Sequence, residues 1–412
     1  MKEQIKTELI LIRITGIDRP GLTASITEIL AKYNTTILDI GQADIHNTLS
    51  LGILFRSEEN SSGLVMKELL FKGSSLDINV QFYPITTEEY EEWVSMQGKN
   101  RYILTLLGRK LSAMQISAVT RILAEQGMNI DAIKRLTGRI PLDEQKANVR
   151  ACIELSVRGT PKDGAVMQAK LMKLSKELEM DFSMQLDNMY RRMRRLICFD
   201  MDSTLIETEV IDELAMKAGV GKQVKEITER AMRGEIDFTE SFRERVALLK
   251  GLDESVMKEI AENLPITEGV DRLMYVLKRY GYKIAILSGG FTYFGRYLQD
   301  KYGIDYVYAN ELEIIDGKLT GNYLGDVVDG KRKAELLRLI AQVEKVDIAQ
   351  TIAVGDGAND LPMLGIAGLG IAYHAKPKVV ANAKQSINTI GIDGVLYFLG
   401  FKDSYLEERG KL

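Results

Sequence analysis

The sequence predicts an α/β protein in three parts. Two successive βαββαβ units are each a four-stranded sheet with helices on one face; an open, mostly parallel sheet follows, interrupted by a helical insertion. Three observations predict it. A pattern of strand, helix, strand pair, helix and strand runs from residue 8 to 82 and restarts at residue 102. From Leu196 onward strand-like runs alternate with helical ones, as in parallel α/β sheets. Carboxylates gather where those later strand-like runs end.

In the first unit, residues 8–15 (ELILIRIT) read as a strand, and Gly16-Ile17-Asp18-Arg19-Pro20-Gly21 as a turn. Leu22, Ile26, Ile29 and Leu30 recur at helical spacing through Tyr33. Residues 36–43 and 49–56 form a strand pair, Val65 to Phe71 a short helix and Leu76 to Phe82 a closing strand. The polar run 86–99 reads as a connection. In the second unit the strands are 102–107, 129–135, 149–156 and 180–185, and the helices 112–126 and 165–178, with a polar loop over 138–147. Two such open sheets could pair through their edge strands. Arg191-Arg192-Met193-Arg194-Arg195 reads as a solvated seam before the third part. There, LICF (196–199), 283–287 and 351–354 are strands, a long helical region spans 210–249 and a hairpin spans 312–322. The domains are expected at 1–90, 91–190 and 191–412, with the helical insertion over about 210–265.

Composition narrows the function. Of 412 residues, 45% are hydrophobic and 27% charged, which fits a folded protein rather than a disordered one. A net charge of -4 and a single basic knot do not suit nucleic-acid binding, which needs concentrated Lys and Arg. Two cysteines, Cys152 and Cys198, lie in strand-like apolar runs and read as buried thiols, not a disulfide framework. Two histidines exclude a His-rich metal site. With no leader-like segment at the N-terminus and no apolar stretch of about 18 residues, no membrane partner and a cytoplasmic location are expected.

The acids carry the chemistry. Asp200 and Asp202 follow the strand 196–199, Asp356 and Asp360 follow 351–354, and Ser288-Gly289-Gly290 follows 283–287; Lys333 opens a later helix. Singly, an acid at a strand end is a cap or a turn former. Together at one sheet edge, where such sheets bind ligands, they make an oxygen-rich pocket suited to magnesium. One carboxylate can attack a phosphorus atom, and a second can protonate the leaving alkoxide. The Ser288 hydroxyl and the Gly289 and Gly290 N–H groups can hold phosphoryl oxygens.

These residues resemble the four motifs of the haloacid-dehalogenase-like phosphatases. Asp200-Met201-Asp202-Ser203-Thr204 resembles the first, Ser288 the second, Lys333 the third and Gly355-Asp356-Gly357-Ala358-Asn359-Asp360 the fourth. FDMDSTLIETEVIDELA, LSGGFTYF and VGDGANDLPML further resemble the phosphoserine phosphatase branch, over about residues 194–405. The resemblance implies a Rossmann-like core with a helical cap. It implies Asp200 as nucleophile through an aspartyl-phosphate, Asp202 as acid and then base, and Ser288 and Lys333 as phosphate-holding catalytic residues. It implies a Mg2+ site of Asp200, Asp356 and the Asp202 main-chain carbonyl, with Asp360 in support. It places Glu209, Met232, Phe238, Arg245, Ser288, Gly289, Lys333 and Asn359 against O-phospho-L-serine, in the last step of serine biosynthesis. The two N-terminal units resemble ferredoxin-like ACT domains, which implies a homodimer and an amino acid, L-serine or another, near Gly16–Gly21. The second unit has Gly108-Arg109-Lys110-Leu111-Ser112-Ala113 at the matching turn and lacks its Asp and Pro.

Two other readings stay open at this level. One is a phosphatase or phosphotransferase for another small phosphate ester. The other is a non-catalytic amino-acid sensor, which the costly cluster of like charges argues against.

Overall fold

Each strand-forming run named above folds as a strand. The computed structural model describes residues 6–96, 98, 100–139, 149–380 and 382–406, and the chain divides into two compact units, Met1–Lys99 and Asn100–Leu412.

In the first unit β1 (Thr7–Ile17), β2 (Thr36–Ile45), β3 (Thr48–Glu58) and β4 (Asn79–Ile85) form an antiparallel sheet in the order β2-β3-β1-β4. Strand β3 alternates cleanly: Leu49, Leu51, Ile53 and Phe55 are buried, while most residues between them are not. With Ile10, Ile12 and Ile14 they pack against Leu22, Ile26 and Leu30 of the helix Leu22–Lys32 and Val65 and Leu69 of the helix Glu59–Ser75. Gly21 opens the first of these helices at φ 88°, a left-handed conformation that favours glycine. The second helix runs much longer than the expected 65–71, because its polar first turns carry no apolar periodicity to read. Residues 87–95 form a helix where a plain connection was expected. Its start is a capping box, in which Glu89 N–H donates to Thr86 Oγ1 at 3.1 Å and Thr86 N–H to Glu89 Oε2 at 2.8 Å.

The second unit is built on one eleven-stranded sheet. Its strands are β5 (Arg101–Gly108), β6 (Asn129–Arg135), β7 (Ala151–Arg158), β8 (Asp181–Leu186), β9 (Leu196–Phe199), β10 (Lys283–Phe291), β11 (Tyr306–Ile315), β12 (Lys318–Leu324), β13 (Thr351–Gly355), β14 (Leu369–Tyr373) and β15 (Gln385–Ile387). The order is β12-β11-β10-β9-β13-β14-β15-β8-β5-β7-β6. Strands β9, β10, β11, β13, β14 and β15 run parallel, as a buried core with helices on both faces requires. The second βαββαβ copy joins the far edge, where β8 pairs antiparallel with β15 at Phe182 and Ser386. Its sheet is thereby covered on both sides. Leu104, Leu106 and Leu155 face its own helices, while Leu107, Leu136 and Cys152 belong to the larger core.

Four helices, Val210–Lys217, Gly221–Met232, Phe238–Ala247 and Ser255–Glu262, make the insertion between β9 and β10. The long helical region read over 210–249 is thus three helices, broken at Gly219 and Gly234, both at positive φ. The basic knot lies at a seam and is solvated only in part, at Arg192 and Arg195. Arg191 and Arg194 are 7% and 4% exposed, and Arg191 pairs with Glu154 of β7 at 2.6 Å. The loop expected over 138–147 lies from residue 140 outside the described residues. Both cysteines are free and buried.

Candidate active site

Strands β9, β10 and β13 end at one sheet edge, and each delivers a functional segment there. Asp200 extends the ladder of β9, its N–H donating to the Val354 carbonyl at 2.9 Å. The chain then turns tightly. The Met201 carbonyl accepts from the N–H groups of Thr204, Leu205 and Ile206, and Ser203 sits at φ 53°. This turn lifts Asp202 beside Asp200. Val210 N–H donates to Asp202 Oδ1 at 3.1 Å, and Asp202 Oδ2 occupies the space a Cβ on Gly290 would need, 2.3 Å from that position. A side chain at position 290 would displace the Asp202 carboxylate.

Lys333 stands in the first turn of the helix Gly330–Val343, fully buried. Its Nζ bridges Asp200 Oδ1 at 2.9 Å and Asp360 Oδ1 at 2.7 Å. Burial pulls its pKa down, but the Asp200 and Asp360 carboxylates outweigh that and hold it above the usual lysine value. Asp360 Oδ2 accepts from Gly357 N–H at 2.9 Å. Thr204 Oγ1 donates to Asp356 Oδ1 at 3.4 Å.

One oxygen each from Asp200, Asp356 and Asp360 lies within 4.8 Å of the others, the one such cluster among the described residues. Loss of hydration, then the charges of Asp200 and Asp360, push Asp356 up to about 8. Burial and Asp200 push Asp360 up to about 7. Three hard oxygen donors that repel one another in this way fit magnesium, whose charge relieves the repulsion. The Asp202 carboxylate stands outside this trio. Burial, then Glu209 and Asp200, hold the Asp202 carboxyl well above the carboxylate range. Two neighbouring acids thus differ in surroundings: Asp200 is ion-paired with Lys333, while burial and like charges disfavour ionisation of Asp202.

Ser288, Gly289 and Gly290 lie within β10, at its irregular end, rather than after it as expected, and they cap the pocket. Ser288 is fully buried and its Oγ accepts from Gly290 N–H at 2.9 Å, so that N–H is used within the segment rather than offered to a phosphoryl group as expected. Gly289 faces the insertion: the Phe238 ring tip is 2.9 Å from where its Cβ would stand. Phe238 stacks on Phe242 with ring centroids 6.3 Å apart. Arg245, in the same helix, is half-buried, its Nε donating to the Ser241 carbonyl at 3.3 Å. Burial lowers its pKa against the opposing charges of Glu209, Asp212 and Asp202. Glu209 begins the insertion at the pocket mouth and accepts from Ser203 Oγ at 2.9 Å. Met232 is 65% exposed, with its Sδ 3.9 Å from Lys376 Nζ, and Asn359 folds its side-chain oxygen over Gly357. Phe238, Glu209 and Asn359 touch the pocket's own segments, Arg245 feels its charges without a direct contact to them, and Met232 lies apart.

Sequence reasoning missed Asn310. Its side chain, 1% exposed on β11, donates to the Gly289 carbonyl and accepts from Val328 N–H, both at 2.8 Å, and so fixes the glycine segment of β10. An asparagine inside a strand-like run, YANELEI, was the available signal.

Family models match in three places: ACT domain models over residues 8–83 and 101–185, and a haloacid dehalogenase-like hydrolase model over 194–368. The phosphoserine phosphatase of Streptomyces coelicolor is 38% identical over 409 residues, 98% of this chain and 95% of that one. That of Mycobacterium tuberculosis is 37% identical over 402 residues, 97% and 94% of the two chains. Among solved structures, a probable phosphoserine phosphatase from Vibrio cholerae aligns at 36% identity and a TM-score of 0.57, covering 74% of this chain and 87% of its own. A HAD family hydrolase from Salmonella enterica aligns at 30% identity and a TM-score of 0.61, covering 75% and 100%.

Proposed function

The chain belongs to the phosphoserine phosphatases of the haloacid dehalogenase-like hydrolases, with two ACT domains ahead of the catalytic part, and on that premise we infer that its Asp200 cluster hydrolyses O-phospho-L-serine to L-serine and phosphate. The observation that carries the reading is the divided pair: Asp200 held by Lys333 at 2.9 Å, and Asp202 beside it, bound by Val210 N–H at 3.1 Å and with burial disfavouring its ionised form.

In the first half-reaction an Asp200 carboxylate oxygen attacks phosphorus and the bond from phosphorus to the serine oxygen breaks. The leaving alkoxide takes the Asp202 proton and departs as L-serine. In the second, Asp202 takes a proton from water while the water oxygen attacks phosphorus. The bond to Asp200 breaks, phosphate leaves and Asp202 again carries its proton. Lys333 and Ser288 hold the phosphoryl oxygens. Magnesium, held by Asp200, Asp356 and the Asp202 carbonyl with Asp360 in support, supplies positive charge for the phosphoryl oxygens.

For the substrate's remaining charges, Arg245 is assigned to the carboxylate and Glu209 to the ammonium. A guanidinium fork can donate two bonds at once to a carboxylate. Phe238 and Met232 supply the cap's apolar contact, and Gly289 and Asn359 line the phosphate side. Phosphate release from a panel of phosphorylated amino acids and small metabolites, with magnesium and with chelator, tests this. Phosphoserine should be preferred and the chelator should abolish release. Equal turnover of esters lacking the amino and carboxyl groups would favour a broader phosphatase.

The division 1–90, 91–190 and 191–412, with the cap at about 210–265, is part of the same reading. So are a homodimer formed through the ACT domains, L-serine or another amino acid bound near Gly16–Gly21, and a cytoplasmic location. Supporting dimerisation, β2 is solvent-exposed along its length, with Ile37, Ile40 and Ile45 outward. Among the described residues no helix is long and apolar enough to cross a membrane. Equilibrium dialysis with L-serine and sedimentation of the full chain test the ligand and the dimer.

A further inference from the structure

The cap leaves the core through residues 203–209 and returns through 263–268, and the two limbs are paired. Glu207 N–H donates to the Pro265 carbonyl at 2.8 Å, Thr267 N–H to the Leu205 carbonyl at 3.1 Å, and Ile206 and Ile266 form an isolated antiparallel bridge. This short ribbon is the hinge on which a cap carrying Arg245 must turn.

The residue that ends the ribbon, Glu268, is held from outside the catalytic domain. Arg109 grips its carboxylate with both arms, Nη1 to Oε1 at 2.9 Å and Nη2 to Oε2 at 2.6 Å. Arg109 follows β5 directly, in the first turn of the second ACT domain. That turn corresponds to Gly16–Gly21 in the first copy. Arg109 Nε donates to the Thr389 carbonyl at 3.0 Å. Thr389 is tied in turn to Asp181, the fully buried first residue of β8, whose carboxylate accepts from Thr389 N–H at 3.0 Å and Asn388 N–H at 2.7 Å. Further along the return segment, Arg272 pairs with Asp393 at 2.8 Å, and Arg150 of the ACT domain pairs with the same carboxylate at 2.9 Å. Of the ACT domain's arginines, Arg109 thus binds the return segment directly, while Arg150 shares the Asp393 carboxylate with Arg272.

An isolated pair as exposed as Arg109 and Glu268, at 38% and 34%, contributes little to stability. Its position suggests another use. A bidentate grip fixes the direction of a carboxylate, and the Glu268 carbonyl is pinned as well, by Ile392 N–H at 2.8 Å. The last residue of the hinge is thus clamped on both side chain and main chain.

We propose that Arg109 is a positioning residue that sets the cap hinge through Glu268, making the second ACT domain a fixed mount for substrate-binding closure. The kinetic consequence rests on the phosphoserine reading, since the cap's charges are what that reading assigns to the substrate; the mechanical consequence does not.

The test uses the full chain, with R109A, E268Q and the charge swap R109E/E268R. Hydrogen exchange is followed by mass spectrometry in peptides spanning 203–209 and 263–268, against peptides from β9 and β13. R109A should speed exchange in both hinge peptides by about fivefold or more, with the strand peptides unchanged, and the swap should restore most of it. E268Q, which leaves the arginine's bond to Thr389 in place, gives the same reading should R109A fold poorly. In R109A, kcat/KM for phosphoserine should fall about three- to tenfold while that for p-nitrophenyl phosphate stays within about twofold. Unchanged hinge exchange, or a rise shared equally by the strand peptides, overturns the proposal, as does an equal fall for the two substrates. R245A is run in parallel. If it fails to separate the substrates, the substrate assignment is what fails, and the exchange measurement still decides the hinge.

Discussion

The two ACT domains share a topology and differ in what covers them. In the first, β3 buries every second residue and leaves the other face wet. In the second, β5 (RYILTLLG) is buried continuously from Ile103 to Gly108, because helices lie on one face and the catalytic core on the other. The first makes a sheet of its own, whereas the second extends the catalytic sheet through β8 and β15. An antiparallel strand with one wet face alternates; one that reads as an unbroken apolar run has been enclosed. One copy of the topology thus stands as a separate unit and the other is part of the catalytic unit.

The largest expected effect tests whether chemistry belongs to the second unit alone. Asp200→Asn should cut phosphate release more than about 1,000-fold without unfolding the protein, since an amide cannot form the aspartyl-phosphate. Asp18→Asn, in the first copy's turn, should leave turnover at saturating substrate within about twofold. A fall for Asp18→Asn comparable with that for Asp200→Asn would end the contrast.

Truncation tests the contrast structurally. A chain beginning at Asn100 should remain soluble and active. One beginning at Arg191 should aggregate, because it bares the β15 edge and the apolar partners of Leu107 and Cys152. Equal solubility of the two, measured by size-exclusion chromatography, would mean that the second copy is as separable as the first.

Within the enzyme unit, Arg245→Ala should lower kcat/KM for phosphoserine by about 100-fold, as for loss of a buried charge-assisted pair. Hydrolysis of p-nitrophenyl phosphate should barely change. An equal fall for both would assign Arg245 to the fold or the phosphate site.

The smallest effect is thermal. Asp356 and Asp360, raised to about 8 and about 7, bind more protons folded than unfolded between about pH 4 and pH 8. Metal-free stability of the catalytic unit should therefore fall as pH rises through that window. Magnesium replaces those protons, so its stabilising increment should grow with pH, to about 5 °C in melting temperature at pH 8 and less at pH 5.5. Differential scanning calorimetry should show the shift in the catalytic transition and not in that of residues 1–99. An increment independent of pH would mean that the trio does not titrate as described.

The sequence made local features legible and tertiary ones illegible. Asp200, Asp202, Asp356 and Lys333 were readable because each follows a strand or opens a helix within a short motif. The helix at 87–95 went unread because it buries no residue, although Thr86 and Glu89 carried its capping box. Strands β14 and β15, of five and three residues, are too short to show a period. Arg191 and Arg194 looked solvated because a run of arginines does not disclose that Glu154, on a distant strand, will bury one of them. Likewise the joint between β8 and β15 depends on partners far apart in sequence.

That joint has a consequence for synthesis. Asp181 waits for Asn388, 207 residues later in the chain. At ordinary ribosomal speeds of about 5–20 residues per second, the edge of β8 emerges roughly 10–40 s before its partner exists. For that interval the nascent second ACT domain presents an unpaired strand and leaves Leu107 and Cys152 without their core partners. Slower translation near the C-terminus lengthens the exposure, so the yield of native enzyme should depend on how fast the last strand is made.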